Sequence, residues 1–264
     1  GEEIWRTDVG VPVSAMTRAP EENGLHVVTS QAALFDLDRE AINSGSTTGP
    51  IENPGDQSVA IRFEDPIAID DERFILINAV DGKTTMVYEP QRPSQKLRKV
   101  RLQLPSGRPS GGALVAGGGL VLPLDTGRVV LMQWRNGSML GAPFQPASDP
   151  VGSVRWTRPL ALPDDSGQVV LADSRKKIYR LRIAEQIREL SSKEIEFELL
   201  GPAAAVDSTM IATAKGPSSD FVIGYDMATL DKSFQNLLQG RVVWGPIEDR
   251  KSTRLNSSHA NISY

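Results

Sequence analysis

The sequence predicts an all-β fold, a β-propeller of four-stranded blades. Three observations carry this: short β-branched runs recur at blade-length intervals, a small-residue segment precedes each, and a turn plus an alternating strand follows each. The runs are residues 25–30, 74–79, 120–125, 169–174 and 210–215. With His26, Phe74, Leu120, Val169 and Met210 as markers, the intervals are 48, 46, 49 and 41 residues, the length of about 40 to 50 residues that one blade occupies.

The segments before the markers, residues 11–16, 66–70, 111–116, 159–163 and 201–206, are rich in Gly, Ala and Pro. They are expected as innermost strands, because blades converge on a crowded axis that favours small side chains. The segments after the markers, 33–38, 85–89, 128–134, 178–183 and 221–226, alternate apolar with polar residues, which puts one face of each in a core. Asp81-Gly82, Asp125-Thr126-Gly127 and Ser166-Gly167 are turn signals, and Asn136-Gly137 is the strongest hairpin signal in the chain. A fourth, polar segment closes most units, as in residues 97–104, whose charges suit an outer strand that must not pair edge to edge. Ile183, Ile187 and Leu190 stand at helical spacing, so residues 183–190 read either as a short helix or as strand plus loop.

The units fall at approximately 1–50, 51–105, 106–150, 151–200 and 201–240, and residues 241–248 read as the start of a sixth. Closed propellers hold about four to eight blades, so an incomplete propeller is expected. Residues 249–264, DRKSTRLNSSHANISY, resemble the conceptual translation of a sequencing-library adapter. That resemblance implies a non-native disordered tail on a fragment of metagenomic origin. It sets aside the glycosylation sequons at Asn256 and Asn261, and also His259, which leaves His26 as the one histidine in the first 248 residues.

A 39% apolar and 23% charged composition is that of a globular protein, and no run approaches the roughly 18 apolar residues of a membrane helix. The absence of cysteine excludes disulfides, thiolate metal sites and a cysteine nucleophile. The net charge is −4, and −6 once Arg250, Lys251, Arg254 and Asp249 are set aside with the tail, which argues against nucleic acid as a partner. The chain opens on Gly1-Glu2-Glu3-Ile4-Trp5, and the compartment stays open on these grounds.

The unit of small-residue strand, Gly-x-apolar run ending in Asp or Ser, turn, and alternating strand ending in Asp or Trp resembles the quinoprotein-type, or pyrroloquinoline-quinone-like, propeller repeat. Residues 119–134 with Asn136-Gly137 carry the resemblance, with weaker parallels at 23–38 and 167–183. Trp5, Trp134, Trp156 and Trp244 stand where the resemblance implies tryptophans packed between blades. WD-repeat proteins are a poorer match, because the Gly-His and Trp-Asp pairs that mark them are missing. The family divides into quinone- and calcium-binding dehydrogenases and non-enzymatic scaffolds, among them the scaffold lipoprotein of the bacterial outer-membrane barrel-assembly machine. The dehydrogenases carry adjacent cysteines and a catalytic aspartate in a defined setting. This chain has no cysteine and no position that matches that aspartate, so the resemblance implies a scaffold, and among compartments it favours the periplasm or cell envelope.

Other candidate sites have simpler readings. Gly111-Gly112 and Gly117-Gly118-Gly119 lack the Gly-Lys-Ser/Thr of a phosphate loop and read as tight turns. Asp36 with Asp38, Asp70-Asp71-Glu72 and Asp164-Asp165 lie at strand-to-turn junctions, where Asp forms turns, and none matches a calcium loop. His26, between Leu25 and Val27, reads as a satisfied core or blade-face histidine. The basic segments 96–101 and 175–182 read as solvated strand faces, with a partner-binding stripe as the subordinate possibility. The functional expectation is a non-catalytic binding or scaffold propeller with a protein partner and no cofactor. The alternatives are part of a quinone- and calcium-dependent dehydrogenase or other propeller enzyme, and a sensor domain joined to a further module.

Overall fold

The computed structural model describes Arg6 and residues 10–18, 24–45, 49–51, 60–147 and 152–242. Trp5, Trp244, the sixth-unit segment beyond Val242 and the adapter-like tail lie outside these residues.

The β-branched runs become strands flanked by their sequence neighbours, so that each sheet is an antiparallel meander. Sheet I holds β1 (Val13–Arg18), β2 (Gly24–Thr29) and β3 (Leu34–Asp38). Sheet II holds β4 (Ile67–Ala68), β5 (Phe74–Ile77), β6 (Thr84–Tyr88) and β7 (Leu97–Arg101). Sheet III holds β8 (Leu114–Ala116), β9 (Gly119–Pro123) and β10 (Val129–Met132). Sheet IV holds β11 (Leu160–Leu162), β12 (Asp165–Asp173), β13 (Lys177–Ile183) and β14 (Ile187–Glu194). Sheet V holds β15 (Leu199–Val206), β16 (Thr209–Ala214), β17 (Phe221–Asp226) and β18 (Lys232–Leu237). In sheet III the fourth segment is held by single bridges, Met132 to Met139 and Val129 to Phe144. In sheet I the chain returns at Ile51, whose N–H donates to the Leu34 carbonyl at 2.9 Å.

The chain divides into two compact units, Gly1–Gln103 with Trp134–Gly137, and Leu104–Gln133 with Ser138–Tyr264. In the first unit, Val28 and Leu34 of sheet I pack against Phe74, Leu76, Met86 and Tyr88 of sheet II. In the second, Val121 and Leu131 of sheet III meet Leu171 and Tyr179 of sheet IV. Val170 and Ile178, on the other face of sheet IV, meet Met210 and Ile223 of sheet V. The strands β5, β9 and β10 are buried along their whole length. The alternation in residues 128–134 predicts one buried face for β10, yet each residue of that strand is buried.

One local alternative is settled, one element is unforeseen and one turn is corrected. Of the two readings of residues 183–190, strand plus loop holds: β13 ends at Ile183, the chain turns with the Ala184 N–H donating to the Gln186 carbonyl at 3.3 Å, and β14 begins at Ile187. The helix among the described residues is α1 (Arg39–Ser44) instead. It lays Ile42 on the sheet I cluster of Val27, Phe35 and Leu37 and stops at Gly45, whose φ of +65° is the left-handed helix ending that glycine favours. Ser166-Gly167 does not make a hairpin turn. Both residues lie within β12, and the chain reverses at Pro163-Asp164, where Leu162 pairs with Asp165.

Candidate interaction surface

The first candidate is built where the β6–β7 connection meets the Asn136-Gly137 hairpin tip. Glu89 follows β6, and its N–H donates to the Lys96 carbonyl at 2.8 Å, which closes the loop between the strands. At the hairpin tip, Gly137 adopts a φ of +75°, and a Cβ there would stand 2.0 Å from the Arg101 carbonyl oxygen. Only glycine allows that approach. The Gln103 N–H donates to the Gly137 carbonyl at 2.8 Å, so the tip is tied to the end of β7 and delivers Trp134 and Arg135 beside Glu89.

Three guanidinium groups converge on the Glu89 carboxylate: Arg92 at 3.4 Å, Arg98 at 3.6 Å and Arg135 at 4.0 Å. Glu89 is 15% exposed. Arg98 also donates from Nη1 to the Arg135 carbonyl at 2.7 Å, while its Nε is sealed from solvent without an acceptor. Arg135 lies 4.5 Å above the Trp134 ring centre and Arg73 lies 5.7 Å from it, so cations cover the indole. Arg73 pairs in turn with Asp70, and this side-chain bond together with the Arg73 and Glu72 amides holds the Asp70 carboxyl below its usual range. The sequence reading assigns Trp134 an inter-blade role and treats 96–101 as a solvated face. Neither brings Arg73, Glu89, Arg92 and Arg135 together, because these residues come from three separate segments. A running charge tally does flag the region: between Glu89 and Asp149 the chain carries eight Lys or Arg and a single acid, Asp125, within a chain of net charge −4.

Of the acidic candidates, Asp70 and Asp165 do turn work, as Asp81 and Asp226 do elsewhere, whereas Asp36 is not at a turn but within β3, paired across the strand with His26. Asp70 accepts the Glu72 and Arg73 amides, Asp81 those of Lys83 and Thr84, and Asp226 those of Ala228 and Thr229. Asp165 accepts the Gly167 amide and pairs with Arg182 at 2.8 Å. The end of the marker strand repeats one device: Thr29, Asn78 and Asp173 each accept a backbone N–H from the turn that follows. Asp173 accepts the Arg175 and Lys177 amides and the Tyr179 hydroxyl at 2.9 Å. Burial first, and then the facing Asp173 carboxylate, push the Tyr179 phenol well above its ordinary pKa.

Trp156 is buried in the cluster shared by sheets III and IV, 5.7 Å from the Tyr179 ring, with its Nε1 donating to the Leu124 carbonyl at 3.0 Å. The glycines at 111–112 and 117–118 all have positive φ, as tight turns require. In the segment 175–182 the cations turn to their own unit: Arg182 to Asp165, Arg180 to the Ala228 carbonyl, and Lys177 over the Tyr179 ring.

His26 is a core residue at 4% exposure, as expected, but it is not satisfied. Neither ring nitrogen has a hydrogen-bond partner. Its cross-strand neighbour Asp36 stands 3.5 Å from Nδ1, and the Tyr88 and Phe74 rings close over it at 4.9 and 6.1 Å. Burial lowers the His26 pKa below its ordinary value, and the Asp36 charge opposes that only in part.

A quinone with calcium, which the repeat resemblance allows, asks for convergent oxygen ligands. Among the described residues, no three His, Cys, Asp or Glu side chains come together so as to hold a metal ion, and Asp70, Asp81, Asp165, Asp173 and Asp226 spend carboxylate oxygens on their own turns. The described residues do not supply the carboxylate set that calcium asks for.

No protein-family model and no curated protein matches the chain by sequence. Solved structures do match it. BamB from Moraxella catarrhalis is 16% identical over 88% of this chain and 66% of that one, with a TM-score of 0.51. The computationally designed Ika8 protein is 12% identical over 90% and 65%, with a TM-score of 0.59. A chain of the Mitotic Checkpoint Complex is 11% identical over 91% and 70%, with a TM-score of 0.60. BamB and the checkpoint chain are β-propellers, and a β-propeller is the fold class of this chain. The chain spans 66% and 65% of the length of the first two of these structures.

Proposed function

We propose that this chain is a non-catalytic propeller module that holds a protein partner, in a bacterial envelope or as part of a multidomain protein. The observation that carries the reading is the division of labour among charged groups: the strand-end carboxylates are engaged in turns, while three arginines from the β6–β7 connection, β7 and the Asn136-Gly137 tip gather on Glu89. A rigid β scaffold that carries such a cluster on loops is suited to recognition. The likeness to BamB and the resemblance to the quinoprotein-type repeat, whose members include scaffolds, are compatible with it. The test has two arms. Site-specific photo-crosslinkers placed at Arg92 and Arg135 in living cells should trap one discrete protein adduct, whereas crosslinkers at Asp207 should not. Incubation with pyrroloquinoline quinone and calcium should give no dye-linked oxidation of alcohols or sugars. Turnover in that assay would replace the scaffold reading with the dehydrogenase one.

A further inference from the structure

We infer that the end of the first compact unit built by Pro12, Val13, Arg62 and Val80 is a docking site for a partner segment that pairs an apolar side chain with a carboxylate. This rests on the interaction-module reading and adds a second surface to it. The strand β6 begins after the Val80 turn and ends at Glu89, so the two surfaces lie at opposite ends of sheet II.

One hydrogen-bonded frame is built twice in the chain. In the first unit the Ser30 N–H donates to the Pro12 carbonyl at 2.8 Å, the Ile61 N–H to the Ser30 carbonyl at 2.6 Å and the Ala79 N–H to the Arg62 carbonyl at 2.8 Å. The Ser14 hydroxyl donates to the Ile61 carbonyl at 2.9 Å. In the second unit the Asp125 N–H donates to the Arg108 carbonyl at 2.9 Å, the Val154 N–H to the Asp125 carbonyl at 2.7 Å and the Ser174 N–H to the Arg155 carbonyl at 2.7 Å. There the Ser110 hydroxyl donates to the Val154 carbonyl at 3.1 Å. The next turn is shared too, since Val80 and Arg175 each donate their N–H to the strand-end side chain two residues before, Asn78 and Asp173. Matching backbones make the side chains comparable position by position.

The second unit fills this frame with charge. Arg108 stands where the first unit has Pro12, Arg175 stands where it has Val80, and Arg155 pairs with the Glu198 carboxylate. The first unit keeps the arginine, as Arg62, exposed and without an ion-pair partner among the described residues. Along the same row it sets Val80 at 68% and Val13 at 46% exposure, with Pro12 and Ala79 also exposed. A β-branched residue is a poor turn former, and one so exposed adds nothing to the core, so neither the turn nor the packing accounts for Val80. Single exposed apolar residues are ordinary. A row of them, beside an arginine that lacks the carboxylate its counterpart holds, is complementary to an apolar segment bearing one acid. Such a segment supplies to Arg62 what Glu198 supplies to Arg155. A single cation favours a peptide over an anionic lipid surface, which a cluster of cations must hold.

Fluorescence anisotropy on the full chain tests this with labelled twelve-residue peptides of four kinds: Leu with Asp, Leu with Asn, Ser with Asp, and Leu with Lys. The Leu/Asp peptide should bind about tenfold or more tightly than each of the others. Val80→Ser should weaken that binding about fivefold. Arg62→Glu should weaken it about tenfold or more and make Leu/Lys the preferred peptide. A variant that fails to fold does not exchange one preference for another, so this reversal guards the result. Arg155→Glu, at the matching position of the second unit, should leave Leu/Asp binding within about twofold of the native chain. Equal binding of all the peptides, an Arg62→Glu variant that keeps the Leu/Asp preference, equal sensitivity to Arg155→Glu, or binding to phosphatidylglycerol vesicles in place of the peptides would each overturn the inference. If no peptide binds while crosslinkers at Arg92 and Arg135 trap a protein, the module reading stands and this surface assignment falls alone.

Discussion

Asp173 and His26 are both buried, titratable and carried by marker strands, yet their surroundings differ. Asp173, at the end of β12, is surrounded by donors: two turn amides and the Tyr179 hydroxyl. His26, in β2, is surrounded by Tyr88, Phe74 and a carboxylate at 3.5 Å, and neither nitrogen is bonded. The first occupies the position at which the repeat closes its turn, so its own hairpin supplies the partners. The second lies on the face sheet I turns toward sheet II, where the packing is otherwise apolar. A buried polar group is secure where the repeat builds its partners in and exposed to challenge where it does not.

The largest expected effect is therefore at Asp173. Asp173→Ala strands the Tyr179 hydroxyl and two amides in an apolar setting and should cost about 3 kcal/mol in urea unfolding. Asp173→Asn keeps an acceptor for one amide and should recover about half of that. A loss below about 1 kcal/mol for the alanine variant would mean that Tyr179 and the turn find other partners.

Next is Trp156→Phe, which keeps an aromatic ring beside Tyr179 and Phe144 but removes the donor to the Leu124 carbonyl and leaves a small void. The cost should be about 2 kcal/mol, without change in the denaturant slope. If the loss is confined to a few tenths, the indole N–H is not what ties the Leu124 carbonyl into the shared core.

The same contrast explains what could be read in advance. The strand meander was legible because β-branched runs, Asp-Gly and Asn-Gly turns and strand-end Asp residues act within their own hairpins, as at Asp81 and Asp173. The helix α1 was not legible, since six residues with Ile42 as their single large apolar side chain carry no periodicity and are held by packing on Phe35 and Leu37. Ile183, Ile187 and Leu190 leave helix and strand plus loop open, because a tight reversal at 184–186 between two strands places apolar residues at the same spacing as a helix face. At the candidate surface, Trp134 and the basic run 96–101 were visible, but their assembly around Glu89 depends on Gly137 lying against Arg101. Such a contact between distant segments leaves no local pattern, only the regional excess of positive charge.

The smallest effect, and the one that bears most directly on the comparison, is at His26. Replacement by Phe keeps a ring against Tyr88 and Phe74 and removes two unmet nitrogens, so His26→Phe should stabilise the fold by about 1 kcal/mol at pH 7.5. The pH dependence carries the sharper prediction. Burial depresses the pKa of folded His26 below the 6.5 of an unhindered histidine. Below pH 6.5 the unfolded chain therefore takes up a proton that the folded chain resists, and stability falls with pH until the lowered folded value is passed. The groups facing the ring set the size of this loss: Asp36 across the strand favours the charged form, while Tyr88 and Phe74 exclude the water that would solvate it. Urea midpoints measured from pH 7.5 down to about 5 should fall more steeply for the native sequence than for His26→Phe. Asp36→Asn should steepen the decline further, because the one charge that favours imidazolium is removed. Parallel midpoints for the native chain and His26→Phe would show that the ring is hydrated in the folded state, and Asp173 and His26 would then differ only in which donors reach them.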